Sequence, residues 1–568
     1  AMLLRVTKAD RLYAGFDLAA SRAVTLGPGG GTVDTQGFGT KLTQAVSGPG
    51  GFTKAGTGTL VLTGASSYAG GTTIAEGTLQ LGDGGTSGSL QGMVLNNGAL
   101  AFNRADAVAF AGTISGSGSL SQLGTGTTLL SAANSYTGGT FLKNGTLAVA
   151  NSSALGTGPL SMDDGTTLAF AADGLALANP IALTGRKDPV IDTGAFDATL
   201  AGGIGGTGEL TKAGTGTLVL AAANNTYTGA TTVAAGTLRA GSANAFSAAS
   251  AHTVNAGATL DTAGFAQTVA ALANSGTVSV AGSGSARNTL TVSGAYVGGN
   301  GVLRLGTSLA GGSAVSDRLV LDGAAATASG RSTIQLTSVA GLGGATGADG
   351  IEVVTGQNGA STTAQGTRDA FTLAGGHVDA GPYEYRLYAA DAGGAGENWY
   401  LRSGTVVQPP APPPPVAAPG EPPAPPPPRA APVVVPTYRA EVPLFAALPL
   451  QLRQGNLALV GNLHQRVGDE DIASTTPSDA AAAGPRRVWA RLVSADIDLQ
   501  QQGLVAPSSE GRLNGLQTGI DLYTDASWRA GLYLGQMEGS VDVRGFALGL
   551  RDTALGDNDL RNQYLGGY

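Results

Sequence analysis

Internal repetition is the feature that most constrains how this chain folds. Residues 53–62 recur unchanged at 211–220, within a longer unit that occurs three times, at 50–83, 118–151 and 208–242. A shorter signal, a glycine followed by one or two small residues and an apolar residue, recurs about every 22.6 residues when its one 42-residue interval is counted as two turns. Its apolar members are Phe52, Leu79, Leu100, Leu120, Leu147, Leu168, Leu210, Leu238, Leu260 and Val278. Because such a period is typical of solenoids, we expect the chain to bury its apolar residues by stacking one turn on the next.

Each turn of this period contains short runs rich in Thr, Val and Leu, bounded by Gly, Asn and Ser. Such runs indicate strands joined by turns, and three of them fit about 22 residues. The sequence therefore predicts an all-β body, a parallel β-helix with a narrow apolar lumen. Its 92 glycines in 568 residues agree, since tight corners between stacked strands favour small residues. A disordered tract of the same composition is the alternative, but it would not keep apolar residues at a fixed spacing.

Composition excludes several classes of protein. The chain has no cysteine, which rules out a disulfide scaffold, a thiol enzyme and a cysteine-ligated metal site. Its three histidines, His252, His377 and His464, are scattered, so no histidine-rich metal site is predicted. The net charge of −8 provides no electrostatic attraction for nucleic acid. We therefore expect no cofactor, no metal and no nucleic-acid partner.

Three local patterns are compatible with chemistry, and each has a simpler structural explanation. A G-x-G-x-x-G match lies at 203–208, but no β-α-β unit surrounds it and glycine is abundant. His252 and His377 are interpreted as structural residues rather than members of a catalytic triad. The Asp-Asn-Asp run at 557–559 offers calcium ligands, yet a solvated loop between two strands explains it better.

A change of composition divides the chain near residue 404. Between Val406 and Pro436, 15 of 31 residues are proline. Such a segment adopts polyproline II and spans up to roughly 95 Å, which predicts a semi-rigid spacer. Recognition by a domain of the SH3 type is a weaker alternative, because a linker already explains the composition.

The residues after the spacer follow two patterns. Residues 443–467 have the helical spacing of apolar side chains, interrupted by one proline and one glycine. From Arg487 the period becomes two, as in 516–522 and 528–535, where apolar and polar side chains alternate. An outer-membrane barrel turns its apolar side to lipid, whereas a soluble sandwich buries it. Alternation alone does not separate the two.

Taken in order, these segments resemble the autotransporters of Gram-negative bacteria, the type V secreted surface proteins that include pertactin. The repeated unit GTGTLVLTG…SSYAGGTTIAEGTL is similar to their passenger-associated repeat. Residues 300–323, 347–354, 371–388 and 398–403 are similar to the C-terminal stem of pertactin-type passengers. The stretches YRAEVPLFAALPLQL and RVWARL resemble the start of the translocator domain and its first barrel strand.

This resemblance implies a division of the chain into four parts. The first two are a right-handed parallel β-helix passenger at 1–286 and a stem, or autochaperone, at 287–403. A Pro-rich linker follows at 404–437. The N-terminal part of an outer-membrane β-barrel occupies 438–568, with the predicted helix in the pore and strands from 487.

The number of barrel strands departs from the family pattern. The family barrel has twelve strands, whereas about 82 residues follow Arg487, enough for three strands and the start of a fourth at 563–568. An incomplete barrel would leave unsatisfied edges in lipid. We therefore expect the chain to be a fragment, and the lack of a signal peptide in residues 1–10 points the same way.

The resemblance implies a non-enzymatic protein that displays its passenger on the bacterial outer surface for adhesion or host contact, while its C-terminal domain serves translocation. The implied partners are outer-membrane lipid, the barrel-assembly machinery and host surface molecules, bound through rung edges or loops such as 186–189. Two alternatives stay open: an enzymatic passenger, a protease or esterase, upstream of residue 1, and a structural stalk without ligand. Some family members also cut themselves at an asparagine of the pore helix, which makes Asn456 and Asn462 candidates for cleavage.

Overall fold

A computed structural model describes most of the chain, and all statements of structure below refer to that part. The described residues are 4–6, 11–13, 23–185, 187, 189–282, 286–310, 314–363, 368–407, 433–470, 487–524 and 528–568. They contain 49 strands and one helix. Among these residues, no helix combines the length and the apolar character needed to cross a membrane.

Thirty-five strands of two to four residues make up the first part of the chain, the solenoid (4–292). The first eighteen are β1 Leu4–Val6, β2 Arg11–Tyr13, β3 Val24–Leu26, β4 Gly31–Asp34, β5 Thr40–Leu42, β6 Val46–Ser47, β7 Phe52–Ala55, β8 Thr59–Leu62, β9 Thr72–Ile74, β10 Thr78–Leu81, β11 Val94–Asn96, β12 Ala99–Phe102, β13 Val108–Phe110, β14 Ile114–Ser115, β15 Ser119–Gln122, β16 Thr127–Leu130, β17 Thr140–Leu142 and β18 Thr146–Val149. The others are β19 Leu160–Met162, β20 Thr167–Phe170, β21 Leu175–Leu177, β22 Ile181–Leu183, β23 Val190–Asp192, β24 Ala198–Leu200, β25 Ile204–Gly206, β26 Leu210–Ala213, β27 Thr217–Leu220, β28 Thr231–Val233, β29 Thr237–Ala240, β30 Ala251–Val254, β31 Thr259–Asp261, β32 Gln267–Val269, β33 Ala271–Asn274, β34 Thr277–Ser279 and β35 Thr289–Val292.

These strands stack in parallel, turn upon turn, around an apolar lumen. Strands β12, β13 and β14 make one turn, after which β15 pairs with β12, so three short strands per turn are confirmed. Residues alternate between inward and outward positions, and Leu60, Leu79 and Leu100 are fully buried. Each such burial stabilises the fold by about 1.5–3 kcal/mol relative to an exposed side chain. The lumen is therefore the core, and the predicted parallel β-solenoid is confirmed.

The turn is shorter than the sequence motif indicates. Along one ladder Leu60, Leu79, Leu100, Leu120 and Thr140 pair in succession, at steps of 19, 21, 20 and 20 residues. The turn length of about 22.6 residues indicated by the motif is wrong because the motif changes ladder along the chain. A leucine at the second position of a strand looks the same in the sequence whichever face of the solenoid that strand occupies.

The three sequence repeats start on different faces. The first strand of the first repeat, β7, lies in the ladder β4-β7-β9-β11-β14, and its second strand, β8, lies in the next ladder. The first strand of the second repeat, β15, continues the ladder of β8 through β10 and β12. Likewise β26, which starts the third repeat, continues the ladder of β16 through β18, β20 and β23. From one repeat to the next, the starting strand thus moves to the next face of the solenoid. Equivalent outward side chains therefore point in a different direction in each repeat.

The stem (287–403) begins with β35 and continues with eight further strands, of which two have thirteen residues each. They are β36 Tyr296–Ser308, β37 Arg318–Asp322, β38 Ala328–Ala340, β39 Ile351–Gln357, β40 Phe371–Leu373, β41 Val378–Ala380, β42 Tyr383–Ala389 and β43 Trp399–Arg402. Strands β36 and β38 pair in parallel over almost their whole length. The last strands, β41, β42, β43 and β39, pair antiparallel, so the stem ends the run of parallel turns.

The two ends of the Pro-rich segment meet. Residues 408–432 lie outside the described part, but β44 Gly404–Val407 and β45 Val433–Pro436 on either side form an antiparallel pair with Val407 opposite Val433. The prediction that this segment holds its two neighbouring parts of the chain apart is therefore wrong. A segment whose ends are held in one ladder does not separate its neighbours, however far it extends.

The C-terminal part is one helix and a four-stranded antiparallel sheet. Helix α1 covers Glu441–Glu470, which confirms the predicted helix. The C-terminal sheet contains β46 Val488–Gln500, β47 Ser508–Thr524, β48 Arg529–Ala547 and β49 Leu550–Gly567, each paired with the next. The predicted start of a fourth strand at 563–568 is wrong, because β49 begins at Leu550. The predicted loop at 557–559 is also wrong, since these residues lie within β49 and pair with residues 540–542.

Candidate functional site

A buried lysine closes one corner of the solenoid in two of the three repeats. The Nζ atom of Lys54 donates hydrogen bonds to the carbonyl oxygens of Ala55, Gly56 and Glu76, at 2.9, 2.6 and 3.0 Å. Lys212 of the third repeat bonds the equivalent three carbonyls. Both side chains are fully buried. The ammonium thus donates to three carbonyls of the corner, of which the first, that of Ala55 or Ala213, also accepts from Thr35 or Thr193 of the preceding turn.

The electrostatics of this corner favour a structural role. Burial lowers the pKa of Lys54, and it lowers the pKa of Lys212 to about 8 against the opposing effect of nearby carboxylates. In the second repeat Gln122 takes the same place, and its Nε2 donates to the carbonyls of Gly124 and Gly126 at 2.9 and 3.2 Å. Since a neutral amide does the same work, the lysines are donors and not nucleophiles.

A buried tyrosine marks the other corner of every repeat. Each hydroxyl lies within hydrogen-bond distance of the hydroxyl of the threonine four residues later. The pairs are Tyr68 with Thr72, Tyr136 with Thr140 and Tyr227 with Thr231, at 2.6, 2.6 and 2.8 Å. In the sequence, the recurring motifs TKAG and Y-x-G-G/A could have identified these two corners. The repeated residues thus form the core, and the outward residues are free to vary.

One outward patch of the solenoid combines an aromatic ring with charges. Phe141 is 37% exposed, and the Nζ atom of Lys143 lies 5.9 Å from the centre of its ring. Lys143 also forms an ion pair of 3.0 Å with Asp163. The predicted binding loop 186–189 is next to this patch: the backbone N–H of Lys187 donates to Asp164. Residues 186 and 188 of that loop lie outside the described part.

The glycine motif and the two histidines singled out in the sequence lie in places that point to structural roles. Residues 203–208 surround β25, which pairs with β22 and is followed by β26 rather than a helix. His252 is buried against Phe246, and burial lowers the pKa of its ring to about 4, so it is a neutral core residue at pH 7. His377 lies at the stem surface, 3.9 Å from Asp379.

The carboxylates near His377 already have cationic partners. Asp379 forms an ion pair of 3.4 Å with Arg439, and Glu384 accepts a hydrogen bond from Arg386. The three side chains stand close enough together to share an ion, but arginines neutralise both acids. The cluster is explained as a surface ion-pair network.

The C-terminal sheet packs a mixed face of polar and apolar side chains on α1 and leaves large apolar side chains exposed on the opposite face. Gln517 and Asp521 are buried, and the amide of Gln517 reaches the backbone of α1. Leu516 and Leu534 on the opposite face are 48% and 57% exposed. The other large apolar side chains exposed on this sheet are Val488, Leu492, Leu522, Trp528, Leu532, Leu550 and Leu565. A soluble sandwich would cover such a face, whereas the reverse arrangement is typical of strands in an outer membrane.

Helix α1 lies against the mixed face of the sheet and carries both candidate asparagines. The side chain of Asn456 accepts a hydrogen bond from the hydroxyl of Tyr564 at 2.5 Å. The Nδ2 atom of Asn462 donates to Oε1 of Gln517 at 2.8 Å. The backbone carbonyl of Asn462 accepts from Nη1 of Arg491 at 3.0 Å. The structure thus gives the two asparagines different surroundings, which their identical following residue, leucine, does not reveal.

Comparison with protein families divides the chain in the same way. The model described as "Passenger-associated-transport-repeat" matches residues 52–81, 120–149 and 210–240. "Autochaperone Domain Type 1" matches 267–387, and "Autotransporter beta-domain" matches 488–568.

Curated relatives cover the chain more widely. The "Adhesin BmaC autotransporter" of Brucella suis biovar 1 is 31% identical over 482 residues, which are 78% of this chain and 13% of that protein. The "Probable autotransporter YfaL" of Escherichia coli K12 is 42% identical over 142 residues, 25% of this chain and 10% of that protein. The chain therefore spans about an eighth or less of the length of these two relatives. The crystal structure of the Haemophilus influenzae Hap adhesin is similar at 15% identity with a TM-score of 0.32, over 69% of this chain and 49% of that one.

Proposed function

We propose that this chain, which belongs to the autotransporters, carries a non-enzymatic passenger whose outward faces bind molecules on a host surface. In this family the β-domain resides in the outer membrane and the passenger is exposed at the cell surface. One observation carries the proposal: the three repeats share their buried residues and are turned by one face each. Such a body presents varied side chains in three directions on a constant core, which suits adhesion better than catalysis.

Two further observations support adhesion. A relative that matches 78% of this chain is described as an adhesin. The patch of Phe141, Lys143 and Asp163 offers an exposed ring beside an ion pair, and aromatic residues are enriched in contact surfaces. An enzymatic passenger upstream of residue 1 and a stalk without ligand are the two alternatives.

An adhesion assay separates these alternatives. The full-length protein is displayed on a non-adherent Gram-negative host, and bacteria bound to cultured epithelial cells are counted. We expect binding above the vector control, and a loss of binding in the Phe141→Ala/Lys143→Ala variant at equal surface amount. Thr73→Ala, an outward change elsewhere on the solenoid, is the matched control. Binding no higher than that of the vector control would leave the stalk or the upstream enzyme as the explanation.

We propose that the C-terminal part serves translocation and that the stem folds first. The carboxylate of Asp317 is fully buried and accepts hydrogen bonds from the backbone N–H groups of Asn288 and Gly306, at 2.8 and 2.9 Å. These bonds tie the first stem strands together before any upstream turn is needed. A solenoid grows by adding turns to a finished edge, so a stem that emerges first would provide that edge. Outer-membrane lipid and the barrel-assembly machinery are the partners that this route requires.

We propose Asn462, rather than Asn456, as a site of self-cleavage. Its Nδ2 would attack its own carbonyl carbon, form a succinimide and break the peptide bond to Leu463, while the proton from Nδ2 passes to the leaving amine. Arg491 donates to that carbonyl and would stabilise the developing oxyanion, and Gln517 orients Nδ2. Asn456 lacks both contacts among the described residues, because its recorded partner is Tyr564.

A pair of variants tests this assignment. In the full-length displayed protein, Asn462→Ala should abolish the cleaved passenger band, and Arg491→Gln should slow its appearance by about 100-fold, the effect of losing one oxyanion donor. Asn456→Ala is the matched control and should leave the band unchanged. A band that persists in Asn462→Ala would contradict the proposal.

A further inference from the structure

We propose that residues 433–439 form a clasp that holds the stem on the C-terminal sheet, so that a passenger cut within the Pro-rich segment stays bound. The partner of the clasp is this chain's own passenger, residues up to 407. Covalent continuity through residues 408–432 is then unnecessary for display.

The first contact of the clasp is a strand pair. Strand β45 lies antiparallel to β44, with Val406 opposite Val434 and Val407 opposite Val433. A β-strand added to a free edge binds through main-chain hydrogen bonds, which need no particular side chains. The four-residue ladder therefore joins the last passenger residues to the first residues beyond the Pro-rich segment.

The second contact continues along the stem. The backbone N–H of Thr437 donates to the carbonyl of Ser403 at 2.8 Å, and the N–H of Glu384 donates to the carbonyl of Thr437 at 2.9 Å. The hydroxyl of Thr437 donates to the carbonyl of Glu384 at 2.6 Å. Arg439 then pairs with Asp379 across the same edge. Since Thr437 is buried, these bonds are shielded from water and stronger than surface bonds.

The third contact reaches the C-terminal sheet. Tyr438 is 7% exposed and stacks on Tyr383 of the stem, with ring centres 5.4 Å apart. Its other side meets the edge of Phe546 in β48 at 6.0 Å. The backbone N–H of Leu548 donates to the carbonyl of Tyr438 at 2.8 Å. One aromatic residue thus joins the stem and the sheet.

Because of the order of these residues along the chain, their contacts can hold a cut passenger on the C-terminal sheet. Residues 433–439 stay covalently joined to α1 and the C-terminal sheet after any cut between 408 and 432. All their contacts with β44, Ser403 and residues 379–384 then bridge two separate chains. Retention rests on surface display by this family, but it does not require that the passenger bind a host.

A cysteine pair tests the strand register without cutting the chain. Residues 1–568 contain no cysteine, so Val406→Cys/Val434→Cys adds one thiol pair to them. We expect oxidation of the purified full-length protein to form a disulfide, because directly opposed strand residues have the required Cβ separation. Val406→Cys/Val433→Cys is the matched control, in which the two residues are one step out of register and should stay reduced. Equal cross-linking of both pairs would overturn the paired ends.

Cutting tests retention itself. A protease recognition sequence is inserted after Gly420 of the displayed Asn462→Ala protein, in which residues 433–439 stay joined to the C-terminal sheet, and cleavage is followed on a denaturing gel. We expect the cut passenger to sediment with the cells, and Thr437→Val/Tyr438→Ala to raise its rate of release at least about tenfold. Tyr533→Ala, a tyrosine of the C-terminal sheet outside the clasp, should release no more than the unchanged protein.

Two results would overturn the clasp. Immediate loss of the cut passenger from cells with an intact clasp would show that the contacts do not hold it. Equal retention in the Thr437→Val/Tyr438→Ala variant would show that other contacts do. Protease resistance of the uncut variant checks that its passenger is folded, and the adhesion assay reports on host binding independently of both results.

Discussion

The solenoid and the C-terminal sheet are both built from alternating strands, yet they differ in the side chains that they leave exposed. In the solenoid Leu100 is fully buried and outward positions such as Thr73 are polar, with single exposed rings such as Phe141. In the C-terminal sheet Gln517 is buried, while Leu516 is exposed. Alternation therefore shows only that a strand has two faces. The partner of each face, a lumen in one region and lipid in the other, decides which face is apolar.

The largest expected effect comes from the solenoid lumen. Leu100→Ala removes packing from a fully buried position and should lower the free energy of unfolding by about 2–5 kcal/mol. Thr73→Ala, on an outward position, should change it by no more than about 0.5 kcal/mol. Chemical unfolding followed by circular dichroism measures both. Equal effects would contradict a dry apolar lumen.

A charge on the outer face of the sheet sharpens the comparison. Leu516→Arg should destabilise the C-terminal sheet by about 2–4 kcal/mol in a bilayer, because that face meets lipid. In the solenoid the outward change Thr73→Arg should be nearly neutral. Assembly of the full-length protein in lipid vesicles, read from the heat-modifiable shift on a gel, reports the first effect. Insensitivity to Leu516→Arg would place that face in water.

The corner lysines provide a smaller effect with an internal control. Lys212→Met removes the Nζ donor from three carbonyls, of which that of Ala213 keeps the N–H and hydroxyl of Thr193 as donors, and should cost about 1–3 kcal/mol. Lys212→Gln should cost less, because Gln122 donates to the equivalent carbonyl, that of Gly124, in the second repeat. The unfolding midpoints of the two variants show which substitution costs more stability. A larger loss for glutamine than for methionine would contradict the donor role.

Lys212 also predicts a dependence of stability on pH. Burial lowers the pKa of Lys212 to about 8 from its ordinary 10.5, so between these values the unfolded chain binds the proton that the folded chain has lost. The free energy of unfolding contributed by Lys212 should therefore rise with pH across this window and be absent below it. Comparing the unfolding midpoints of the unchanged protein and Lys212→Gln from pH 7 to 10.5 isolates the slope. Parallel pH profiles would contradict it.

The sequence predicts the parts of this fold that depend on local pattern. Three strands per turn, the apolar lumen and α1 follow from spacing alone. The length of a turn does not, because Leu120 and Leu147 share a motif but lie on different ladders. Residues 557–559 look like a loop, yet β49 continues through them because one side of that strand faces the polar surface of α1.

The meeting of Val407 with Val433 is also beyond sequence reasoning. Composition describes the stiffness of a proline-rich segment, but the positions of its ends are set by contacts outside it. The same holds for Asn456 and Asn462, since only the strands packed against α1 distinguish them. Sequence patterns do not determine which residues that are distant in the chain come into contact.

Thiol labelling on intact cells tests most directly whether the solenoid is displayed and the sheet is in the membrane. Because the chain has no cysteine, Thr73→Cys and Leu516→Cys each introduce a single label site. A membrane-impermeant maleimide should modify Thr73→Cys on intact cells and leave Leu516→Cys unmodified until detergent is added. Labelling of Thr73→Cys only after lysis, or equal labelling of both positions on intact cells, would contradict the account.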